Sequence, residues 1–167
     1  MAIEQRPKIK IKLTQPDAFL EMLGWATLGV LWFLTLYNYS SLPSTIPTHF
    51  NASGQIDNYG SKSTILILPI IGTVIFVGMT LINKIPHSFN YPRKITPENA
   101  EIQYTYATKM IRYLKLMILI VFSSIVYITN LAVASKSDGA GIWFVPVIVG
   151  SIFMPVIYFI IKMIKAK

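Results

Sequence analysis

The sequence contains no cysteine and little charge. Of its 167 residues, 13% are charged and 53% are hydrophobic, and the mean hydropathy is +0.54. A soluble domain carries about 25% charge, because a wetted surface must cover its core. A charged fraction of half that size indicates a protein embedded in a membrane. The absence of cysteine excludes disulfides and thiol chemistry within the chain.

Charge is missing altogether from four stretches, each about as long as the roughly twenty residues that span a hydrocarbon core. They are residues 22–42, 63–83, 116–135 and 139–161. Lipid offers no partner to an unsatisfied backbone group, so each stretch must be helical. Pro69, Pro146 and Pro155 fall inside them and are predicted to kink the helices rather than break them. The sequence therefore predicts an all-α membrane protein with four transmembrane helices.

Basic residues are almost absent from two of the predicted loops. All but Lys62 and Lys136 lie in the N-terminal segment, in the loop between the second and third spans with the start of the third helix, or in the C-terminal tail. The positive-inside rule then predicts cytoplasmic termini and a cytoplasmic middle loop. The predicted location is a bacterial cytoplasmic (inner) membrane, crossed several times. Anionic lipid at the inner leaflet accounts for the net charge of +8.

Several function classes lack their signature. The basic residues form no platform interleaved with aromatics, which argues against nucleic-acid binding. There is no G-x-S-x-G, no H-E-x-x-H and no phosphate-cradling glycine loop, so no catalytic residue, metal or cofactor is predicted. No ionisable residue is placed deep in a span, because Glu21 and Lys115 fall at the predicted cytoplasmic rims. Proton-coupled transporters usually need such a residue, so this also argues against that class.

The chain is predicted to form one integral membrane domain over residues 1–167. Residues 22–83 hold the first two spans and an outer loop at 42–62, residues 84–112 form the cytoplasmic loop, and residues 113–161 hold the third and fourth helices.

Capping signals mark two helix starts at the cytoplasmic side. Thr14, followed three residues later by Asp17, predicts the start of the first helix, which should run to about Tyr39. Thr96 before Pro97 and Glu98 predicts the start of the third. Alternation of lysine with Ile or Leu over residues 8–13 is typical of a short strand. We expect that strand to pair with the extended stretch before Thr96.

The outer loop contains "IPTHFNASGQID", which divides into two extended arms around a turn at residues 51–54. The loop should form a small hairpin. Two interpretations stay open. In the first, His49 and Asp57 only hydrogen-bond the turn. In the second, His49, Asn51 and Asp57 form a pH sensor, part of a metal site or a ligand-contacting surface. Two protein ligands are too few for zinc, which takes three or four.

The same loop resembles a known family through many fixed positions in a short stretch. They are Leu42-Pro43, Ile46-Pro47, His49-Phe50-Asn51, Gly54, Asp57 and Lys62. This pattern is similar to the membrane family called domain of unknown function 1648, which forms the N-terminal part of SdpI-like immunity proteins. The resemblance covers Trp25 to about Asn83. The cytoplasmic "FNYPRKITPENAE", with Asn90, Tyr91, Pro92, Thr96, Glu98 and Asn99, resembles a subgroup of that family.

The resemblance implies no assigned chemistry. SdpI-like proteins protect a cell against a secreted toxin peptide and hold a transcription regulator at the membrane. The leading interpretation is a non-enzymatic protein that senses or binds something, or acts in an immunity-like role, through its outer loop. The alternatives are a membrane-embedded metal-dependent enzyme and a small oligomeric transporter. The partners considered, besides the lipid bilayer, are an extracellular peptide or small ligand, a cytoplasmic protein and further copies of the chain.

Overall fold

The four hydrophobic stretches form four helices. The structure, a computed structural model, describes residues 6–134 and 136–166. Residues 1–5 and Lys167 at the ends of the predicted domain, and Ser135 at the end of the third stretch, lie outside this range. The helices are α1 (Gln15–Leu36), α2 (Ile67–Ile82), α3 (Ala100–Val133) and α4 (Phe144–Lys165). Within the described residues, all four are long and apolar enough to cross a membrane, α2 together with the 3-10 turn before it (Lys62–Ile82). The predicted class of four-helix membrane protein is confirmed.

A short antiparallel hairpin joins α1 to α2. Its strands are β1 (Thr45–Phe50) and β2 (Ile56–Ser61). Single 3-10 turns at Tyr39–Ser41 and Lys62–Leu66 connect it to the two helices, and a third turn, Pro86–Ser88, follows α2.

The start of α1 is the one that the capping signal predicts. The Thr14 hydroxyl accepts a hydrogen bond from the Asp17 backbone N–H, and the Asp17 carboxylate accepts one from the Thr14 N–H at 3.0 Å. This reciprocal capping box satisfies two of the N–H groups that every helix start leaves unpaired. The α-helix ends at Leu36, slightly before the predicted Tyr39, and the chain continues in the 3-10 turn.

The start of α3 lies one turn later than predicted. The chain turns at Thr96, whose N–H donates to the Asn99 side chain at 2.9 Å and whose carbonyl accepts from the Ala100 N–H at 3.0 Å. The first α-helical residue is Ala100. From there α3 runs without interruption for 34 residues, about 51 Å at 1.5 Å per residue. This exceeds the roughly 30 Å of a hydrocarbon core, so α3 extends beyond it.

Two of the three prolines lie near the start of an α-helix. Pro69 and Pro146 are each the third residue of their α-helix, because α2 follows a 3-10 turn and α4 begins at Phe144 rather than at residue 139. A proline in the first turn of an α-helix removes no helical hydrogen bond, because the N–H groups there have no acceptor within that helix. Pro146 therefore lies outside mid-span, whereas Pro69 is eight residues into the continuous stretch Lys62–Ile82 formed by the 3-10 turn and α2, and a kink there stays a prediction. Pro155 lies inside α4, and the helix continues through it as predicted.

Helix α3 is the centre of the bundle and contacts α1, α2 and α4. The buried core between α1, α2 and α3 includes Leu31, Phe76 and Leu119. Helices approach closely at Gly24, where an added Cβ would lie 2.5 Å from the Phe76 ring. Helix α4 packs mainly on α3 and leaves most of its apolar surface exposed, as a lipid-facing helix does.

The loops gather at two opposite ends of the bundle. The hairpin and the α3–α4 loop form one end, which we call the hairpin end. The other, the basic end, contains residues 6–14, residues 83–99, the first turns of α3 and the last turn of α4. Arg93 donates to the carbonyls of Ile164 and Ala166 at 3.0 Å each, and the Tyr104 hydroxyl donates to the Pro7 carbonyl at 3.1 Å, so both described termini lie at the basic end.

The predicted strand in the N-terminal segment is wrong. Residues 6–14 have no assigned strand, but their alternation still has a structural basis. Ile9 and Ile11 pack against a cluster formed by Ile95, Ala100 and Tyr104, while the lysines between them stay exposed. The segment thus lies against the stretch that precedes α3 by side-chain packing rather than by a backbone ladder.

Candidate functional site

The hairpin has an irregular register that determines which side chains meet. His49 lies opposite Asn58 and Phe50 opposite Ile56, with irregularities on both sides of His49. Because such a bulge shifts the pleat by one residue, it changes the face on which a side chain lies. His49 Nδ1 and Asp57 Oδ1 are 2.5 Å apart, and their side chains are 65% and 41% exposed. The structure thus places His49 beside Asp57, where the hairpin spacing predicts it.

A turn stabilised by one side chain closes the hairpin. The Asn51 side-chain oxygen accepts hydrogen bonds from the N–H groups of Ser53 and Gln55 at 2.9 and 3.0 Å. The Asn51 N–H donates to the Gln55 carbonyl at 2.8 Å. Asparagine favours such local bonds to its own backbone. Asn51 is therefore a turn-forming residue and does not join His49 and Asp57 in a cluster.

The tip of the hairpin docks on the α3–α4 loop. The Ala140 N–H donates to the Gly54 carbonyl at 2.7 Å, and Gln55 pairs with Gly139 in an isolated bridge. Gly54 has a φ of +76°, and a Cβ there would lie within 2.7 Å of the Gly141 carbonyl carbon. Only glycine suits both the angle and the close approach. Turn chemistry alone pointed to Gly54, but not to the loop that it contacts.

Lys62 fixes the base of the hairpin. Its Nζ lies 3.5 Å from the carbonyl oxygens of both Tyr39 and Leu42, and 5.2 Å from the centre of the Tyr39 ring. The ammonium group therefore satisfies carbonyls at the end of the first helical segment. Asn51, Gly54 and Lys62 thus hold the hairpin in place, while His49, Phe50 and Asp57 remain available for contact.

A mostly apolar groove lies beneath the first strand, and we call it the hairpin groove. Its volume is about 470 Å³. Four parts of the chain line it: β1, the start of α2 with its preceding turn, the last third of α3 and the start of α4. The lining residues are Ile46, Pro47, Thr48, His49, Phe50, Thr64, Ile65, Ile67, Leu68, Ile125, Thr129, Phe144 and Val145. A concave apolar site with a few polar groups is the usual form of a ligand pocket.

The histidine–carboxylate pair does not by itself make a metal site. Among residues 6–134 and 136–166, no three His, Asp or Glu side chains lie close enough to hold a metal ion. His87 belongs to the 3-10 turn at the basic end, remote from His49. Zinc needs at least three protein ligands, and the pair offers two.

The second group of candidate residues, in the predicted cytoplasmic loop, lies next to the start of α3. Tyr91 packs on Tyr104 with ring centres 5.5 Å apart and donates to the Pro86 carbonyl at 2.8 Å. Burial raises the pKa of the Tyr91 hydroxyl, the nearby Tyr104 raises it further, and Arg6 opposes the shift. Tyr91 is therefore a packing residue at the start of α3.

The other five candidates of this group divide into two kinds. Asn90 and Pro92 are exposed, whereas Thr96 and Asn99 form the turn before α3. Glu98 is exposed as well, and a hydrogen bond with the Thr96 side chain lowers the pKa of its carboxyl.

Four charged side chains meet inside the bundle, and we call them the ion network. Lys115 Nζ lies 2.6 Å from Glu21 Oε2 and 2.6 Å from Thr80 Oγ1. Arg112 lies 3.3 Å from Glu21 and 3.6 Å from Asp17. The Lys115 side chain is fully buried and the Arg112 side chain is 7% exposed. Such charges are tolerated inside a protein when they are paired.

The ion network adds a direct contact between Glu21 and Lys115, which the sequence placed only at the rims of their spans. Their level along the helix axes is near the basic end, because Thr80 is close to the end of α2. Their side chains, however, point into the bundle. The sequence did not predict that Glu21 and Lys115 pair inside the bundle, and the absence of an ionisable residue deep in a span stays a prediction. The missed signal was spacing: residues three or four apart share a helix face, as in Asp17 with Glu21 and Arg112 with Lys115.

Comparison with known proteins supports the resemblance over the hairpin region. Residues 26–73 match the family described as Domain of unknown function (DUF1648). The match runs from α1 through the hairpin into α2, within the stretch where the resemblance was expected. An uncharacterized protein of Archaeoglobus fulgidus is 39% identical over 88 residues, which cover 48% of each chain. The chain thus matches about half the length of this relative. No solved structure matches.

Proposed function

We propose that this protein, whose residues 26–73 match domain of unknown function 1648, is a non-enzymatic membrane protein that binds an amphipathic ligand in the hairpin groove. The observation that carries the proposal is the groove itself, about 470 Å³ in volume and largely apolar. Its lining residues belong to the hairpin and to three of the helices, so an occupant would touch all of them. Occupancy would therefore alter the packing between hairpin and bundle, which is how a sensor transmits binding.

The proposed ligand has an apolar body and a polar head. Ile65, Leu68 and Ile125 offer the surface that an alkyl or apolar peptide side chain prefers. At the rim, the Asp57 carboxylate contacts Nδ1 of His49 and so leaves the other ring nitrogen for a ligand. A short apolar peptide and a single-chain amphiphile both have this chemistry. A peptide ligand would be in keeping with the toxin-immunity role that the resemblance implies.

The proposed orientation places the hairpin end outside a cytoplasmic membrane. Nearly all lysines and arginines lie in segments that belong to the basic end or to the helix turns next to it, and Lys62 and Lys136 are the exceptions. The positive-inside rule then favours a cytoplasmic basic end. On this proposal the groove faces ligands from outside the cell, and residues 83–99 face cytoplasmic partners.

Thiol labelling tests the orientation without background, because the chain contains no cysteine. Ser53 at the hairpin tip and Pro92 at the basic end are both exposed. We expect a membrane-impermeant maleimide to label Ser53→Cys in intact cells and Pro92→Cys only after the membrane is opened. Labelling of Pro92→Cys alone in intact cells would reverse the orientation.

A photoreactive dodecyl phosphocholine tests the groove, with crosslinked peptides identified by mass spectrometry. In the wild type we expect crosslinks to β1 and to the last third of α3, around Ile125 and Thr129. Ile125→Trp fills the groove and should lower crosslinking by about tenfold, because displacing two methylenes costs roughly 1.6 kcal/mol of apolar contact. Val74→Trp is the matched control, since Val74 is 68% exposed on α2 and lies outside the groove.

The outcome distinguishes a binding site from a folding element. Equal crosslinking in Ile125→Trp and wild type would contradict the proposal, because the probe would then sit elsewhere. Asp57→Asn is the second variant to be tested. It should weaken crosslinking while the amount of protein in the membrane stays unchanged. Loss of the Asp57→Asn protein from the membrane would instead make the pair a structural element.

A further inference from the structure

A second groove opens at the basic end, between the first turns of α3 and the last turns of α4. Its volume is about 340 Å³, and we call it the terminal groove. The residues that line it are Ile102, Tyr106, Tyr158, Ile161, Lys162, Lys165 and Ala166. Two lysines and two tyrosines share this wall with isoleucines, and none of the described residues that form the wall is acidic. Glu98 and Glu101, the acidic residues at the start of α3, do not line it.

The two lysines are not needed to complete the fold. Basic side chains near a helix end often bond the last carbonyls, but here other residues do so. Arg93 donates to the Ile164 and Ala166 carbonyls, and the buried Gln103 amide donates to the Met163 carbonyl at 2.7 Å. Lys162 and Lys165 are exposed and form no ion pair with another described residue. Among the described residues, no acidic side chain forms an ion pair with either lysine at the groove.

The groove is amphipathic along its length. Tyr158 lies two turns before Lys165, about 10 Å along the axis at 1.5 Å per residue. The lysines thus lie at the outer end, while Tyr158 and Ile161 continue toward the middle of the bundle. Lys162 Nζ is 5.6 Å from the centre of the Tyr158 ring, so the cation and the aromatic wall are adjacent. Tyrosine rings between lysines and isoleucines are typical of the headgroup level of a bilayer.

We infer that the terminal groove binds one anionic phospholipid, with its phosphate at Lys162 and Lys165 and an acyl chain along Ile161 and Ile102. Charge complementarity selects an anion over a zwitterion. The apolar wall selects a lipid over a small anion, because a free phosphate has nothing to bury against isoleucine. This site is independent of the hairpin groove, which lies at the other end of the bundle.

Native mass spectrometry in detergent tests the site with dipalmitoyl phosphatidylglycerol and phosphatidylcholine as probes. The wild type should retain one phosphatidylglycerol in preference to phosphatidylcholine. The variant Lys162→Gln/Lys165→Gln should bind phosphatidylglycerol about tenfold more weakly or worse. Lys10→Gln/Lys12→Gln is the matched control, because it removes the same charge from exposed residues at the same end. It should bind like the wild type.

A further variant and a competition experiment can each refute the proposal. Ile161→Trp keeps both lysines but fills the groove, so it should also lose the retained lipid. Equal weakening by the two double variants would overturn the inference, since the preference would then belong to a diffuse basic surface. Competition by inorganic phosphate as effective as that by added lipid would overturn it as well, because the site would then recognise a small anion.

Discussion

Glu21→Gln is expected to lower the free energy of unfolding by about 3 to 5 kcal/mol. Lys115 is fully buried and has its shortest charged contact, 2.6 Å, with Glu21. Neutralising Glu21 leaves the two cations with Asp17 as the one remaining carboxylate of the network. The Thr80 hydroxyl and the Phe76 ring, 4.6 Å from Lys115 Nζ, cannot replace a counter-charge. The cost follows because an unpaired charge in a bundle interior has lost its water without gaining a partner.

Reversible unfolding in mixed micelles, followed by circular dichroism, measures this loss. Lys84→Gln is the control, since Lys84 is exposed and its loss should change stability by less than about 0.5 kcal/mol. The double variant Glu21→Gln/Lys115→Met should recover most of the stability. It leaves one carboxylate, Asp17, for one cation, Arg112, and methionine fills the space of the lysine stem.

Failure of this recovery would reveal a different role for the network. A double variant as unstable as Glu21→Gln would mean that Glu21 acts through Arg112 rather than Lys115. A loss below about 1 kcal/mol for Glu21→Gln would be typical of a hydrated surface pair. The network would then be open to water, and the burial of Lys115 would not hold in solution.

The sequence predicts those features that depend on one stretch of chain at a time. Absence of charge over twenty residues is enough to place four helices, because lipid allows no other backbone arrangement. The capping box at Thr14 is likewise local. The start of α4 was misplaced because Ile142 and Trp143 continue the apolar run, whereas Gly139 and Gly141 adopt φ angles of +151° and +77° that a helix does not contain.

Features that join distant parts of the chain were not predictable in this way. The hairpin groove needs β1, α2, α3 and α4 together, and no spacing within the loop indicates Ile125 or Phe144 as its walls. The ion network joins residues 94 positions apart. In the sequence, Glu21 and Lys115 lie just before an uncharged stretch, and only the packing of α1 against α3 brings their side chains together. His49 and Asp57 were predictable as neighbours because eight residues around one turn already bring them together.

Gly54→Ala should detach the hairpin from the α3–α4 loop. A φ of +76° costs a residue with a side chain about 1 to 3 kcal/mol, and the new Cβ would overlap the Gly141 backbone. The hydrogen bond from Ala140 to the Gly54 carbonyl would then be lost. Spin labels on Ser53→Cys and Asp138→Cys report the docking, since no native thiol competes. We expect one narrow distance distribution in the parent chain and a broad one in Gly54→Ala.

Gly29→Ala is the matched control for this substitution. Nothing lies within 4 Å of an added Cβ at Gly29, which is inside α1. Alanine there should leave the distance distribution unchanged and stabilise the helix by up to about 1 kcal/mol. An unaltered distribution in Gly54→Ala would mean that the tip does not rest on the loop. If the tip is released, the dodecyl probe should also bind more weakly, because β1 forms one wall of the hairpin groove and loses its fixed position over α3.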